Sequence, residues 1–106
     1  MSSSISRPFV VLKFGGTSVS SNSNWLNISG VIKERLQEGL IPVVVHSALS
    51  GVTDLLEKLL LASMDDQAQP LLDEIRARHQ KLADDCAMPM PLPVIELLEQ
   101  LSKLCA

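Results

Sequence analysis

Two short apolar runs stand out in the pattern of hydrophobic and polar positions. The first, Phe9–Phe14, is rich in β-branched residues and ends at Gly15, which predicts a fully buried strand. The second, residues 43–46, opens after Pro42 and has the same character. Strands that are apolar on both faces are typical of parallel sheets covered by helices. The runs therefore predict two buried, parallel strands.

The segment between the two runs has helical spacing. Residues 20–24 form a polar stretch in which Ser23 or Asn24 can cap a helix. Apolar residues then recur every three or four positions, at Trp25, Ile28, Ile32 and Leu36. Gly39 is well placed to end that helix. The order of strand, helix and strand predicts a right-handed βαβ unit of the α/β class.

From Gly51 onward the pattern is helical only. Apolar residues mark three helices: Val52, Leu55, Leu56, Leu59 and Leu60; Leu71, Leu72, Ile75 and Leu82; and Val94, Ile95, Leu97, Leu98, Leu101 and Leu104. Pro70 suits the first turn of the second helix, and residues 88–93 form a proline-rich linker. The last helix is apolar over most of its circumference, so it needs cover on more than one side. Two strands cannot make a complete sheet that is covered by helices on both faces. We therefore expect the chain to be a fragment of a larger protein.

Composition and charge narrow the class of protein. The 106 residues suffice for one small domain, and with 46% hydrophobic but only 3% aromatic residues its core would be aliphatic. Nine basic and twelve acidic residues give a net charge of −3 without a basic block, which argues against nucleic acid as a partner. No apolar run approaches the ~20 residues of a membrane helix.

The ends and the cysteines indicate a compartment. Residues 1–8 are serine-rich without an apolar core, which predicts a disordered leader rather than a secretory signal. Cys86 and Cys105 lack metal-ligand or redox spacing. We expect both to be small buried hydrophobes on helices, in a protein of the cytoplasm.

Candidate chemistry lies where the first strand ends, in the sequence KFGGTSV at residues 13–19. Backbone N–H groups around Gly15 and Gly16 can form an anion-binding concavity, and Lys13 adds a fixed charge suited to a polyphosphate. Ser47 follows the second strand, and ligands of open α/β sheets bind beyond the carboxyl ends of the strands. The alternative is a tight turn with a solvated lysine. Neither the Walker phosphate loop nor the dinucleotide fingerprint is present.

The sequence resembles the aspartokinases of the amino-acid kinase superfamily. KFGGTSV is similar to the opening signature of that family. Residues 43–54, VVVHSALSGVTD, resemble its second strand and the Ser-Ala-x-x-Gly-x-Thr-Asn/Asp turn that follows. The resemblance extends from Phe9 to Leu60. It implies that residues 9–106 are the N-terminal portion of an incomplete kinase domain with a three-layer αβα fold.

The resemblance also implies roles for individual residues. It makes Lys13 the catalytic residue. Lys13, Gly15 and Gly16 would contact the phosphates of ATP, and the hydroxyls of Thr17 and Ser18 lie near the same turn. The alternative for Thr17 and Ser18 is capping or bonding within the turn. Ser47, Gly51 and Thr53 would bind the amino-acid substrate, because Ser47 and Thr53 match positions of the family and Gly51 would permit close approach of the backbone. The alternative for Thr53 is a residue of a first helical turn that satisfies its own backbone. Mg²⁺ would accompany ATP, and no protein metal site is expected.

The implied reaction is transfer of the γ-phosphoryl group of ATP to the side-chain carboxylate of L-aspartate, the step that leads to lysine, threonine and methionine. The complete enzyme is expected to be a homo-oligomer, and the motifs look most like the bifunctional aspartokinase/diaminopimelate decarboxylase type. We expect the 106-residue chain alone to be inactive, because no acceptor clamp or adenine-binding segment is found. The alternatives are a glutamate or acetylglutamate kinase, and a non-catalytic module that binds phosphate or a kinase subunit.

Overall fold

A computed structural model describes residues 6–106, so residues 1–5 of the predicted leader lie outside it. The elements along the chain are β1 (Phe9–Phe14), α1 (Gly16–Val19), α2 (Asn22–Gln37), β2 (Ile41–His46), α3 (Val52–Ala62), a 3₁₀ turn (Ser63–Asp65), α4 (Gln69–Asp85) and α5 (Leu92–Leu104). They fall into two compact units that divide between Ser47 and Ala48.

The first unit is built on a parallel pair of strands. Phe9 lies opposite Ile41 and Phe14 lies opposite His46. The ladder extends one bond further at its start, because the Ile41 N–H donates to the Pro8 carbonyl at 2.9 Å. Pro8, which the sequence assigns to the leader, thus accepts a hydrogen bond directly before β1. The predicted α/β class and parallel strand pair are confirmed, and β2 begins two residues earlier than predicted.

The prediction that both strands are fully buried is wrong. The exposed fractions are 70% for Phe9, 65% for Val11, 41% for Val43 and 46% for Val45. These residues share one face of the sheet, because paired residues in a register point to the same side and side chains alternate along each strand. Trp25 of α2 contacts His46, which points to the opposite face. A single helix can cover only that one face.

The start of α2 also differs from the prediction. The helix is capped by Ser21, whose Oγ accepts a hydrogen bond from the Asn24 N–H at 3.3 Å. The expectation that Ser23 or Asn24 caps the helix is therefore wrong. The reason is that α1 ends at Val19, directly before the predicted loop, and α2 begins at Asn22, so only Ser20 and Ser21 separate the two helices.

Gly39 ends α2, as predicted. Its φ of +83° lies in the left-handed region that favours glycine. The Gly39 N–H donates to the Leu36 carbonyl and the Leu40 N–H donates to the Arg35 carbonyl, both at 3.0 Å. This pair of bonds is a Schellman motif, which satisfies the last helical carbonyls and turns the chain toward β2.

The second unit is helical, as predicted, and has its own core. Six buried residues form that core: Leu55, Leu59, Ala68, Leu72, Ile75 and Leu98. Pro70 lies in the first turn of α4, as predicted. α5 begins at Leu92, inside the segment predicted as a linker, because proline is tolerated in a first helical turn.

Apolar residues predicted for the helix stripes divide between the core and the surface. Leu60 is 67% exposed on α3, and Leu97 and Leu104 are 64% and 83% exposed on α5. The cysteines are free and half-buried, and each follows the last residue of a helix, Cys86 after α4 and Cys105 after α5. They are therefore less buried than the sequence predicts.

Replacement of Ile75 by alanine tests this core. Ile75 is 2% exposed, so Ile75→Ala removes buried methyl groups and leaves a cavity. We expect the free energy of unfolding to fall by about 2–5 kcal/mol. Urea unfolding followed by far-ultraviolet circular dichroism measures it. The matched control Leu60→Ala, at an exposed position, should change it by only about 0.5 kcal/mol. Equal effects of the two changes would contradict the described core.

Candidate functional site

Gly15 opens the segment that the sequence singled out. Its φ of −80° and ψ of 179° are extended values that any residue adopts. A Cβ atom built on Gly15 meets no heavy atom within 4 Å. Neither the backbone conformation nor the packing of the protein requires a glycine here. The missing side chain instead leaves the backbone open to a molecule approaching from solvent.

A single helical turn, α1, follows Gly15 directly. The Val19 N–H donates to the Gly15 carbonyl at 3.3 Å, and the Ser20 hydroxyl donates to the Gly16 carbonyl. Val19 is 1% exposed and anchors the turn. Thr17 is exposed and Ser18 is half-buried in the same turn. The predicted phosphate segment is therefore an anchored helical turn rather than an open loop.

Two side chains of α2 hold α1 in place. Trp25 donates from Nε1 to the Val19 carbonyl at 2.7 Å. Asn24 donates from Nδ2 to the Thr17 carbonyl at 3.0 Å. The Trp25 ring also meets the His46 ring edge-on, with centroids 6.1 Å apart and planes at 76°. Trp25 thus connects the segment after β1 to the end of β2.

Lys13 lies near the carboxyl end of β1, opposite Val45. Its side chain is exposed. It points to one face of the sheet, and His46, which the Trp25 ring contacts, points to the other face. Of the residues that the structure describes, none forms an ion pair with Lys13. Its ammonium group is therefore available to an anionic ligand.

Ser47 lies just beyond β2 and is exposed. Its N–H donates to the Phe14 carbonyl at 3.2 Å, which continues the parallel ladder past His46. Lys13, Gly15 and Ser47 therefore lie at one edge of the sheet. This is the convergence that the strand order predicts. The functional roles of these residues remain predictions.

Gly51 and Thr53 belong to the second unit. The Val52 N–H donates to the Leu49 carbonyl at 3.0 Å, which closes a turn over residues 49–52. Gly51 has φ +81° and ψ −8°, the values of the third residue in a type II turn, which favours glycine. Thr53 is exposed in the first turn of α3.

Arg78 of α4 holds this turn. It donates from Nη1 to the Ser50 carbonyl at 2.6 Å and from Nη2 to Glu74 Oε1 at 3.1 Å. The guanidinium group lies against Gly51, because a Cβ atom there would stand 2.9 Å from Arg78 Cζ. In this arrangement the guanidinium group occupies the space that a side chain at position 51 would take.

Residues 6–106 contain no group of three or more His, Cys, Asp or Glu side chains placed to hold a metal ion. Within the same range, no helix is long and apolar enough to cross a membrane.

Comparison with known proteins identifies the family of this chain. Residues 8–92 match the amino acid kinase family. The chain belongs to the amino acid kinase family. No solved structure matches it significantly. The α/β class and the parallel pair of strands in the first unit agree with this membership.

Curated relatives of this amino acid kinase chain are aspartokinases. The chain is 34% identical to the aspartokinase of Chlamydia trachomatis over 91 aligned residues, and these are 85% of this chain and 20% of that protein. It is 31% identical to the aspartokinase of Chlamydia pneumoniae over 83 residues, which are 78% of this chain and 18% of that protein. It is 36% identical to the chloroplastic bifunctional aspartokinase/homoserine dehydrogenase of Daucus carota over 75 residues, which are 69% of this chain and 8% of that protein. The resemblance to aspartokinases is confirmed, and the chain spans a small part of each relative.

Sequence reasoning missed two residues of this kinase-family chain. Trp25 is predicted only as part of an apolar stripe, although a partly buried indole N–H usually finds an acceptor. That requirement is a signal that could have pointed to the Val19 carbonyl. Arg78 belongs to neither motif, and it reaches a carbonyl 28 positions earlier in the chain. No local pattern announces such a contact.

Replacement of Trp25 by phenylalanine tests the anchor of α1. Trp25→Phe keeps an aromatic ring but removes the bond to the Val19 carbonyl. We expect the free energy of unfolding to fall by about 1–3 kcal/mol. Amide hydrogen exchange in residues 15–20 should also become faster, as measured by mass spectrometry. The control Leu26→Ala, at a 65% exposed site on the same helix, should leave that exchange unchanged. Unchanged exchange in Trp25→Phe would show that the indole does not hold α1.

Proposed function

We propose that the protein to which this chain belongs is an aspartokinase. The proposal rests on one observation above all. The exposed and unpaired Lys13 lies at the same sheet edge as the open backbone of Gly15, within a segment that aspartokinases share. ATP would donate its γ-phosphoryl group to the side-chain carboxylate of L-aspartate. The products would be ADP and aspartyl phosphate, an acyl phosphate.

Phosphoryl transfer asks a protein mainly for positioning and for stabilisation of charge. In the proposed reaction, one carboxylate oxygen of aspartate bonds to the γ-phosphorus while the bond to the departing ADP oxygen breaks. Lys13 would neutralise the negative charge that is spread over the phosphoryl oxygens. Backbone N–H groups around Gly15 and Gly16 would contact the phosphates, with the hydroxyls of Thr17 and Ser18 nearby.

The open space at Gly15, where a built Cβ atom meets no heavy atom within 4 Å, would let a phosphate group approach the backbone, which supports this part of the proposal. In kinase sites Mg²⁺ is held by the substrate phosphates, several waters and one or two protein carboxylates, and here it would further reduce the charge of the phosphates. Ser47, Gly51 and Thr53 are proposed to contact aspartate. Their roles follow from the motif that they share with aspartokinases.

The same proposal extends to the whole protein. We propose that residues 9–106 are the N-terminal portion of a longer kinase domain, that the complete enzyme is a homo-oligomer of the cytoplasm, and that its product leads to lysine, threonine and methionine. The chain matches only 20% of the Chlamydia trachomatis aspartokinase. Activity is therefore expected of the complete protein and not of the 106 residues alone.

Replacement of Lys13 by alanine in the complete protein tests the proposed chemistry. The change removes the cation that would stabilise the transferring group but leaves the aspartate contacts. We expect kcat to fall by about 10²–10³-fold, as for the loss of one transition-state donor, with a much smaller change in the KM for aspartate. Steady-state kinetics with coupled ADP detection measures both.

Lys33→Ala is the matched control for this experiment. Lys33 is an exposed lysine on α2, so its loss removes the same charge outside the proposed site. The control should keep the full turnover. An unchanged rate in Lys13→Ala would remove Lys13 from the mechanism.

A substrate panel distinguishes the proposal from its closest alternative, a glutamate or acetylglutamate kinase. The complete protein should phosphorylate aspartate in preference to glutamate, which is longer by one methylene group. A difference of that size is typically worth about 10–200-fold in kcat/KM. Hydroxylamine trapping of the acyl phosphate measures each product. Phosphorylation of glutamate or acetylglutamate but not of aspartate would overturn the assignment.

A non-catalytic module is the second candidate, favoured by the exposed Leu97 and Leu104 of α5. The intact mass of the native product from its source cells separates the two. A mass far above 11.5 kDa supports a complete kinase. A mass near 11.5 kDa would favour a short protein that binds phosphate or a kinase subunit.

A further inference from the structure

We propose that Arg78 is a positioning residue that locks the turn at residues 49–52 in its binding conformation. The inference rests on the proposed function, because Gly51 and Thr53 are assigned there to the aspartate substrate. It concerns the second unit alone and names a residue outside both shared motifs.

The turn has two competing forms. Gly51, at φ +81° and ψ −8°, has the conformation of the third residue in a type II turn. In a type I turn the same residue would lie near φ −90°. The two forms differ chiefly by a flip of the central peptide, which joins Ser50 to Gly51. Glycine adopts either sign of φ readily, so Gly51 by itself does not choose between them.

Arg78 makes the choice through the Ser50 carbonyl. Its Nη1 donates to that oxygen at 2.6 Å. A hydrogen bond from a charged donor is stronger than one between neutral groups. In a flipped peptide the carbonyl would point away from α4, and this bond would be lost. The bond therefore favours the observed orientation of the peptide.

Two further contacts hold the guanidinium group in place. Glu74, one turn earlier on α4, accepts from Nη2 at 3.1 Å. Gly51 leaves the space that the group fills, since a Cβ atom there would stand 2.9 Å from Cζ. The Nε atom of Arg78 is buried and finds no hydrogen-bond partner among the described residues. The ion pair itself lies at the surface, with 40% of the Arg78 side chain and 49% of the Glu74 side chain exposed, so the bond to Ser50 and the contact with Gly51 are what set Arg78 apart from an ordinary surface pair.

The locked peptide also sets the direction of the Gly51 N–H. In a trans peptide the N–H points opposite to the carbonyl of the preceding residue. With the Ser50 carbonyl held toward Arg78, the Gly51 N–H points away from the guanidinium group. The first turn of α3, which carries Thr53, begins at the next residue. Arg78 thus fixes the backbone that would meet the substrate, without meeting the substrate itself.

The test uses the complete protein in four forms: unchanged, Arg78→Gln, Arg78→Lys and Arg76→Gln. Arg76 is exposed on the same helix two residues away, so its variant removes the same charge as a matched control. Hydrogen–deuterium exchange of peptides that cover residues 49–55 reads the turn. Steady-state kinetics reads the KM for aspartate, the KM for ATP and kcat.

We expect Arg78→Gln to speed exchange of the Val52 amide and to raise the KM for aspartate, each about tenfold, the typical worth of a hydrogen bond from a charged donor. The KM for ATP and kcat should change less than about twofold, which is below the worth of one such bond. Arg78→Lys keeps a charged donor but lacks the planar fork of the guanidinium group. Its exchange rate and its KM for aspartate should therefore lie between those of the unchanged protein and those of Arg78→Gln. Arg76→Gln should match the unchanged protein.

The outcomes that overturn the inference are distinct. Unchanged exchange in Arg78→Gln would show that Arg78 does not hold the turn. Faster exchange with an unchanged KM for aspartate would reduce Arg78 to a structural residue. If the unchanged protein does not phosphorylate aspartate, the proposed function fails, whereas the exchange experiment still decides whether Arg78 locks the peptide.

Discussion

The parallel hydrogen-bond ladder between β1 and β2 decides where each candidate residue of the first unit lies. Its register sets Phe14 opposite His46 and brings Ser47 to the end of β1. Side chains alternate between the faces of a sheet, so a slip of one residue would exchange the faces. Lys13 would then point to the face on which Trp25 meets His46. The exposed ammonium group depends on this register more than on any contact of its own.

Sequence reasoning predicted the elements well because the signals for them are local. Gly39 ends α2 through its own backbone conformation, and Pro70 fits a first helical turn wherever that helix packs. The burial of β1 and β2 could not be predicted in this way. An apolar strand has the same sequence whether helices cover one face or both, and Phe9 and Val11 lie on the face that α2 does not cover.

The candidate site divides along the same line. Lys13, Gly15 and Ser47 could be predicted because a strand end and a short motif carry them, and topology then brings two strand ends together. Trp25 and Arg78 act through backbone carbonyls. A carbonyl is present at every residue, so the sequence gives no sign of which one a distant side chain will reach. The supporting residues therefore emerge only once the helices are in place.

Trp25 has a consequence for how this protein can be observed. It is the only tryptophan of the chain, which has no tyrosine, so near-ultraviolet emission comes from one indole ring. That ring is bonded to the segment after β1 and touches the last residue of β2. The natural fluorescence of the chain is thus a label-free optical reporter of the first unit. It distinguishes rearrangement beside Lys13 from melting of the helices that follow, and circular dichroism records the sum of both.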